Sequence, residues 1–292
     1  MQSLIMIRGF LFIFLISIFF TSCDYVKNAK TNIGPINVGS NYVSRNNLSK
    51  IRFQKVLIED YTGHTCGNCP KAAAKAEALM SQYGDTVVML GVHVGYYAEP
   101  SLPTYPADYR TPAGTDWDNF FGVSSSGLPK GMISRVNYPA SNILSYTQWS
   151  SAILPLIHVP VKATLKVFTD YDTTHRILNV KNTAIFNSSF GNDLYICNVV
   201  AEDSIVGKQK DYSQSPDEVD NYTFHYMLRG AINGSWGNVL KSAPINVNDS
   251  TTKNFNGFSV SGSFNDKRLY VISFVYDNST KQVIQCEKVK IR

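Results

Sequence analysis

The sequence predicts an α/β domain followed by an all-β domain, an antiparallel sandwich. Between residues 51 and 158, apolar runs of strand length alternate with a helix-forming segment. From residue 159 to residue 292, apolar runs of similar length are separated only by polar turns. About 240 residues follow position 50, which is more than one typical domain holds.

The first domain opens with a predicted βαβ unit. The run 53–61 is short and apolar, 71–83 is rich in Ala and other helix formers, and 86–94 is strongly apolar between Gly84 and Gly95. Two strands joined by a helix of this length lie parallel in a sheet that is covered on both faces.

The remainder of the first domain is less regular. Four prolines between positions 100 and 112 break any long element, and 117–121 is predicted to be a short helix. Residues 132–136 form a predicted third strand, and residues 145–156 form a predicted helix that closes the domain.

The second domain contains six predicted strands. They cover residues 161–168, 177–186, 194–202, 255–260, 269–276 and 283–291. Residues 277–280 between the last two form a predicted hairpin loop. This number of short strands in about 130 residues favours an immunoglobulin-like antiparallel β-sandwich.

The N-terminus predicts export. Residues 10–20 form an apolar stretch of export-signal length, because a membrane-spanning helix needs about 20 residues. The following Thr21-Ser22-Cys23 resembles the lipobox of bacterial lipoproteins, although Phe20 stands where Leu is usual. The resemblance implies a signal peptide over 1–22 and a membrane lipid anchor on Cys23. The alternative is an ordinary secreted protein in which Cys23 is lost or free.

Composition favours a tether and excludes one class of partner. Residues 23–50 are rich in Asn, Ser, Lys and Gly, which predicts a flexible tether. The formal charge of +5 falls to about +4 without Arg8, and Lys and Arg do not cluster. We therefore expect no nucleic-acid partner.

The pattern Cys66-Gly67-Asn68-Cys69-Pro70 carries the predicted chemistry. Two thiols at this spacing lie one helical turn apart and can form a reversible disulfide. A helix N-terminus stabilises a thiolate, and Pro70 fits the first helical turn. We expect Cys66, near the exposed end, to be the nucleophile and Cys69 the resolving thiol, with protein thiols or disulfides as partners.

The sequence leaves open whether two further cysteines form a disulfide. Exported proteins meet oxidising conditions, so Cys197 and Cys286 form a disulfide or remain buried free thiols.

A strand, a CxxC at a helix start, a second strand and an X-Pro before a third strand resemble the thioredoxin fold. The resemblance implies that Pro129 is cis and lies against the dithiol. It also implies that Asp60, six residues before the first cysteine, is a buried carboxylate that assists proton transfer. Thr65 and Asn68 replace the family's aromatic residue and proline, so the direction of electron flow stays open.

Two longer segments carry a second resemblance. Residues 57–70 and 221–230, with Trp236-Gly237 after them, are similar to the outer-membrane-protein-28 family of Gram-negative lipoproteins. This resemblance implies a lipid-anchored protein of the outer membrane, on its periplasmic or cell-surface face. It also implies a possible surface protein ligand, since an adhesin role is proposed for some members.

Alternatives stand beside each candidate residue. The CxxC is otherwise a structural disulfide, or half of a metal site completed by His64 and His93, although the chain has no second CxxC. We expect neither a metal nor a cofactor. Glu59 takes the role of Asp60 if the strand register differs by one residue, and Pro129 is otherwise a trans turn proline.

Four tyrosines have two interpretations each, and two polar residues have a structural one. Tyrosines at 96, 97, 105 and 109 form a binding surface near the dithiol or pack their loop, whereas His225 and Arg229 are expected to be structural. Two function classes remain: a membrane-tethered thiol-disulfide oxidoreductase, and a non-enzymatic surface binding protein that uses the first domain as a scaffold.

Overall fold

Strands outnumber helices in the computed structural model, which describes residues 42–46, 53–157 and 159–292. The signal peptide 1–22 and Cys23 lie outside the described residues. Fourteen strands are described: β1 Tyr42–Asn46, β2 Val56–Thr62, β3 Val87–His93, β4 Lys130–Ile133, β5 Ala163–Asp172, β6 Ile177–Phe186, β7 Leu194–Glu202, β8 Ile205–Lys210, β9 Glu218–Phe224, β10 Met227–Ala231, β11 Asn238–Lys241, β12 Ser250–Ser259, β13 Leu269–Asp277 and β14 Val283–Lys290. The α-helices of these residues are α1 Cys69–Tyr83, α2 Pro112–Phe121 and α3 Trp149–Ile153.

The predicted βαβ unit is present as β2, α1 and β3. The two strands pair in parallel, from Val56 with Val87 to Thr62 with His93. Both are buried along nearly their whole length, as expected for parallel strands with helices on both faces. Small residues of α1, including Ala72 and Ala76, let the helix pack closely on one face of the sheet.

The largest sheet has eight strands and extends through most of the molecule. Its order is β14-β13-β7-β10-β3-β2-β4, and β11 pairs with β7 off this path. β10 pairs in parallel with β3, where Met227 is opposite Gly91, and antiparallel with β7. Helix α2 packs on the face opposite α1, where Trp117 joins a core that includes Phe274 of β13.

A second sheet covers the C-terminal part of the first. It has the order β1-β5-β6-β12, and β5 and β6 alternate buried and more exposed residues. The buried faces enclose a core that contains Leu165, Val180 and Phe186 of this sheet and Val200 and Val271 of the larger one. The two sheets therefore form a sandwich at this end of the molecule.

The mixed α/β class of the prediction is confirmed, but the two predicted parts do not have separate sheets. The eight-stranded sheet takes β2, β3 and β4 from residues 51–158 and β7, β10, β11, β13 and β14 from residues 159–292. The domain division at residue 158 stays a prediction. The tether over 23–50 stays a prediction too; within it, residues 42–46 form β1, which pairs with β5.

Five of the described strands were not predicted: β1, β8, β9, β10 and β11. β8 and β9 form a separate two-stranded sheet, a hairpin whose tip is residues 211–217. Helix α3 is shorter than the predicted 145–156. Within the described ranges, none of the helices combines the length and the apolar character needed to cross a membrane.

Candidate functional site

The CxxC lies between the end of β2 and the start of α1. Cys66 and Cys69 form a disulfide with 5.4 Å between their Cα atoms. The turn is closed locally, because the Cys66 N–H donates to the Gly63 carbonyl at 3.0 Å and the Cys69 N–H donates to the Cys66 carbonyl at 3.1 Å. Pro70 occupies the first turn of α1, where it removes no intrahelical hydrogen bond.

Both cysteines of the CxxC are buried. Cys66 is 3 % exposed and Cys69 is 1 % exposed. The expectation that Cys66 lies at an exposed end is therefore wrong. The reason is a segment far away in sequence, the β8–β9 hairpin, which covers the CxxC turn.

The hairpin binds the turn mainly through its backbone. The Lys210 N–H donates to the His64 carbonyl at 2.9 Å, and the Tyr212 N–H donates to the Gly67 carbonyl at 2.8 Å. The Gln209 side chain adds a hydrogen bond from Nε2 to the Cys66 carbonyl at 3.0 Å.

The hairpin tip also fits closely against the turn. The ring of Tyr212 lies so near Gly67 that a Cβ at position 67 would come within 2.6 Å of it. A residue without a side chain is therefore needed at position 67 while this ring stays in place.

Asp60 lies inside, next to the second cysteine. Its carboxylate shares a cavity of about 20 Å³ with Cys69 and Pro70, on the α1 side of the sheet. Oδ1 has no hydrogen-bond partner. Burial raises the pKa of Asp60 to about 8, and repulsion from Glu77 adds to this. The cavity has the volume of about one water molecule, so Asp60 can hold a proton at neutral pH beside Cys69.

Glu59 points to the opposite face, which decides the register question. Its carboxylate accepts two hydrogen bonds from Arg135, from Nε at 2.8 Å and from Nη2 at 2.7 Å, and both side chains are fully buried. The Arg135 guanidinium lies 5.2 Å from the ring centre of Trp117 and 5.1 Å from that of Phe274. Asp60, not Glu59, is the carboxylate on the side of the disulfide.

Pro129 directly precedes β4, and its peptide bond with Leu128 is cis. β4 pairs antiparallel with β2, so that Lys130 is opposite Tyr61. Pro129 is half-buried and is not among the residues that line the cavity of Cys69. Its contact with the dithiol, and its catalytic role, stay predictions.

Two histidines form an aromatic cluster beside the CxxC, with Tyr105, Tyr109 and Phe224. The ring centres of His64 and His93 are 6.2 Å apart, and Tyr109 lies 5.7 Å from the first and 5.2 Å from the second. Neither ring nitrogen of His93 has a hydrogen-bond partner. Burial lowers the pKa of His93 to about 3, with repulsion from His64 as a further cause, and it lowers the pKa of His64 as well.

The structure separates the four tyrosines of the Pro-rich segment. Tyr105 and Tyr109 pack in the histidine cluster, whereas Tyr96 is 79 % exposed and Tyr97 is 42 % exposed. The Tyr97 carbonyl accepts hydrogen bonds from the N–H and the hydroxyl of Thr65. The exposed pair therefore adjoins the CxxC turn. In the part of the chain that the structure describes, no group of three or more His, Cys, Asp or Glu side chains is placed to hold a metal ion.

Residues of the second predicted domain also reach the site. His225 lines the cavity of Asp60, its Nδ1 lies 2.8 Å from Asp203 Oδ1, and its Nε2 lies 3.9 Å from Glu77 Oε1 on α1. Arg229 pairs with Glu202 at 3.3 Å, and its structural role stays a prediction.

The remaining cysteines, Cys197 and Cys286, are buried free thiols. Of their two possible states, the structure has the unbridged one. Burial raises the pKa of Cys197 to about 12.

The sequence did not point to Gln209, Tyr212, Tyr222 and Phe224 as site residues. They belong to the hairpin, whose strands show no consistently buried face. The signal available was the match to residues 221–230, which include Tyr222 and Phe224.

Several solved structures resemble this chain, and one with a TM-score above 0.5 indicates its fold. HBP35 of Porphyromonas gingivalis superposes with a TM-score of 0.57 at 17% identity, over 82% of this chain and 76% of that chain. A protein from Agrobacterium tumefaciens gives a TM-score of 0.48 at 12% identity, over 82% of this chain and 96% of that one. A domain of the outer membrane lipoprotein Omp28 from P. gingivalis gives 0.29 at 22% identity, over 46% and 92%. No curated protein matches the sequence.

A family comparison gives the clearest assignment. The family described as outer membrane protein Omp28 matches residues 116–292, more than half of the chain. The matched region includes the β8–β9 hairpin and begins after the CxxC. The chain belongs to the outer membrane protein Omp28 family.

Proposed function

We propose that this protein is an extracytoplasmic thioredoxin-like lipoprotein that exchanges disulfides with protein thiols through Cys66 and Cys69. The observation that carries the proposal is the disulfide at the N-terminus of α1 beside an unpaired, buried Asp60 with a raised pKa. A carboxyl group that is neutral near pH 7 is suited to proton transfer with a leaving thiolate.

The arrangement of secondary structure around the disulfide supports the thioredoxin-like assignment. β2 lies between parallel β3 and antiparallel β4, the CxxC follows β2, and cis Pro129 precedes β4. These are the features that the sequence resemblance implied. The β-sandwich formed with β5, β6 and β12 is the corresponding candidate for the immunoglobulin-like part.

The exchange would proceed in two steps. A substrate thiolate attacks Sγ of Cys66, the Cys66–Cys69 bond breaks, and Cys69 leaves as a thiolate that takes a proton from Asp60. A second substrate thiolate then attacks the substrate sulfur of the mixed disulfide and releases Cys66. The released Cys66 thiolate and Asp60 then take up two protons from the solvent, which received two when the substrate thiols ionised. Two substrate thiols thus become one disulfide, and the protein gains two thiols. The reverse sequence reduces a substrate disulfide.

We place the protein at the outer membrane, anchored through lipid on Cys23, on the periplasmic or the cell-surface face. Membership of the outer membrane protein Omp28 family supports this location. Labelling of cells with a radioactive fatty acid tests the anchor: the wild type should incorporate label, and Cys23→Ala should not. Protease treatment of intact cells distinguishes the two faces.

Cysteine variants test the exchange. Wild type should reduce insulin or glutathione disulfides, Cys66→Ser should abolish this activity, and reduced Cys69→Ser should accumulate mixed disulfides with substrate. Cys197→Ser is the matched control, because Cys197 is a buried free thiol away from the CxxC. Absence of turnover in wild type, or equal activity of all three variants, would contradict the proposal.

The burial of both CxxC residues favours a second candidate, a non-enzymatic surface binding or adhesion protein in which the disulfide is structural. Exposed Tyr96 and Leu102, each 79 % exposed, would then contribute to a surface for a protein ligand. Binding to extracellular protein that survives the Cys66→Ser/Cys69→Ser double substitution would support this function.

A further inference from the structure

We propose that the β8–β9 hairpin occupies the site of an extended polypeptide substrate, and that exchange at Cys66 requires the hairpin tip to leave. This inference rests on the proposed disulfide exchange and specifies its substrate class and its control. Four observations support it: the pattern of hydrogen bonds, the burial of the sulfurs, the separate bonding of the hairpin and the apolar residues around it.

The hydrogen bonds to the CxxC turn come from two backbone N–H groups of the hairpin. Lys210 is the last residue of β8, and Tyr212 lies in the turn that follows it. They donate to the carbonyls of His64 and Gly67. Any polypeptide presents such N–H groups, whatever its side chains. The turn can therefore accept a segment of another protein in place of residues 210–212.

The covering blocks the reaction itself. Disulfide exchange needs a thiolate to reach the attacked sulfur, and Cys66 is 3 % exposed while Tyr212 lies against Gly67. Gln209 Nε2 also donates a hydrogen bond to the Cys66 carbonyl. A substrate sulfur therefore reaches Cys66 only after the hairpin tip moves.

The hairpin is bonded in a way that allows this movement. Its ion pairs lie within the hairpin: Lys208 pairs with Glu218 at 2.9 Å and with Asp220 at 3.1 Å, and Lys210 pairs with Asp217 of the tip at 3.4 Å. The hairpin can therefore leave the CxxC turn without breaking these pairs. Tyr212 remains 59 % exposed even when it covers Gly67.

Apolar side chains surround the covered turn. Tyr212 lies over the turn. Tyr96 and Tyr97 lie beside it, because the Tyr97 carbonyl accepts hydrogen bonds from Thr65. Exposed aromatic residues beside a strand-binding edge suit an extended segment with apolar side chains. Such segments are accessible in polypeptides that have not completed folding, which are therefore the expected substrate class.

A shortened hairpin tests the inference. Lys210 and Glu218 are paired in register, so residues 211–217 can be replaced by Asn-Gly, a two-residue hairpin turn. The measurement is the second-order rate constant for reduction of the intact protein's disulfide by dithiothreitol, followed by thiol titration. We expect at least a tenfold increase. The full-length variant Gln209→Ala/Tyr212→Ala keeps the hairpin and should also be reduced faster.

A matched control removes an exposed aromatic residue of α2, on the other face of the sheet. Phe120→Ala should leave the rate of reduction unchanged. Unchanged rates in both hairpin variants would overturn the inference.

Exchange with an unstructured peptide that carries two cysteines separates this inference from the proposed function. Faster exchange in the hairpin variants supports the inference. If dithiothreitol reduces the hairpin variants faster but no variant exchanges with the peptide, the covering role is supported. The polypeptide substrate and the proposed function are then overturned. If wild type exchanges with the peptide as fast as the shortened variant does, only the covering role is overturned.

Discussion

Replacing Asp60 with Asn should stabilise the protein, increasingly so as the pH rises. Asp60 is buried, its Oδ1 has no hydrogen-bond partner, and its pKa is raised to about 8 by burial and by Glu77. The unfolded chain releases this proton near pH 3.8, whereas the native protein keeps it until about pH 8. Because the native state binds more protons in this interval, stability falls as the pH rises through it. Asn resembles the protonated acid and does not titrate.

The magnitude follows from the two pKa values. Each pH unit between 3.8 and 8 removes about 1.4 kcal/mol from the native state with Asp60, relative to the unfolded chain. The difference between Asp60→Asn and wild type should therefore reach about 4 kcal/mol at pH 7. Between pH 5 and pH 7 it should grow by about 3 kcal/mol, and above pH 8 it should stay constant.

Equilibrium unfolding in urea at several pH values measures this difference, with the Cys66–Cys69 disulfide kept oxidised. The control is Asp85→Asn, which changes an exposed aspartate after α1 and should give a curve parallel to that of wild type. Parallel curves for Asp60→Asn and wild type from pH 5 to pH 7 would refute the reasoning, because they would mean that Asp60 ionises normally in the native protein.

Three other substitutions test separate parts of the structure. His93 should lower the free energy of unfolding by about 3 kcal/mol between pH 7.5 and pH 4.5, because native His93 stays neutral to about pH 3 while the unfolded chain binds a proton below pH 6.5. His93→Gln should remove this loss. Urea unfolding at the two pH values measures it. Glu59→Gln should cost about 3–5 kcal/mol by leaving Arg135 buried without its partner, and a Glu59→Leu/Arg135→Met double variant should cost less in the same assay. Gly237→Ala should lower the thermal midpoint by several degrees, since Gly237 has φ +66° and an added Cβ would collide with the Ile196 carbonyl; an unchanged midpoint would contradict this close approach.

Local patterns predicted the elements that bury one or both faces. β6 and β7 have the predicted bounds because β6 alternates buried and more exposed residues and β7 is almost continuously buried. The CxxC was predicted from its local spacing, whereas Asp60 was predicted from the thioredoxin resemblance, by its position six residues before the first cysteine.

The sequence did not predict how the two halves join. β10 has five residues and pairs with β3 at Met227 and with β7, which makes one sheet from strands of both predicted domains. A hydrophobic pattern identifies a strand but not its neighbours, because pairing depends on residues far apart in the chain.

The covering of Cys66 could not be predicted either. Along β8 and β9 most residues are half-buried or exposed, so neither strand shows the period-two signal of a buried face. Their contacts with the CxxC turn run through backbone N–H groups of Lys210 and Tyr212, which every residue type except proline provides. The Gln209 side chain and the Tyr212 ring add to these bonds, but most of the interaction leaves no record in side-chain identity.

Asp60 and His93 line the same small cavity and act on stability in opposite directions. Between pH 3.8 and 6.5, native Asp60 keeps a proton that the unfolded chain has lost, and native His93 rejects a proton that the unfolded chain binds. Each contributes a slope of about 1.4 kcal/mol per pH unit, with opposite signs, so their sum is near zero in this interval. A flat pH profile of the wild type there would not mean that the cavity lacks shifted groups. Relative to wild type, Asp60→Asn should make the profile rise more with pH, and His93→Gln should make it fall more. The double variant should have the wild-type slope; two single variants with the wild-type slope would show that neither group is shifted.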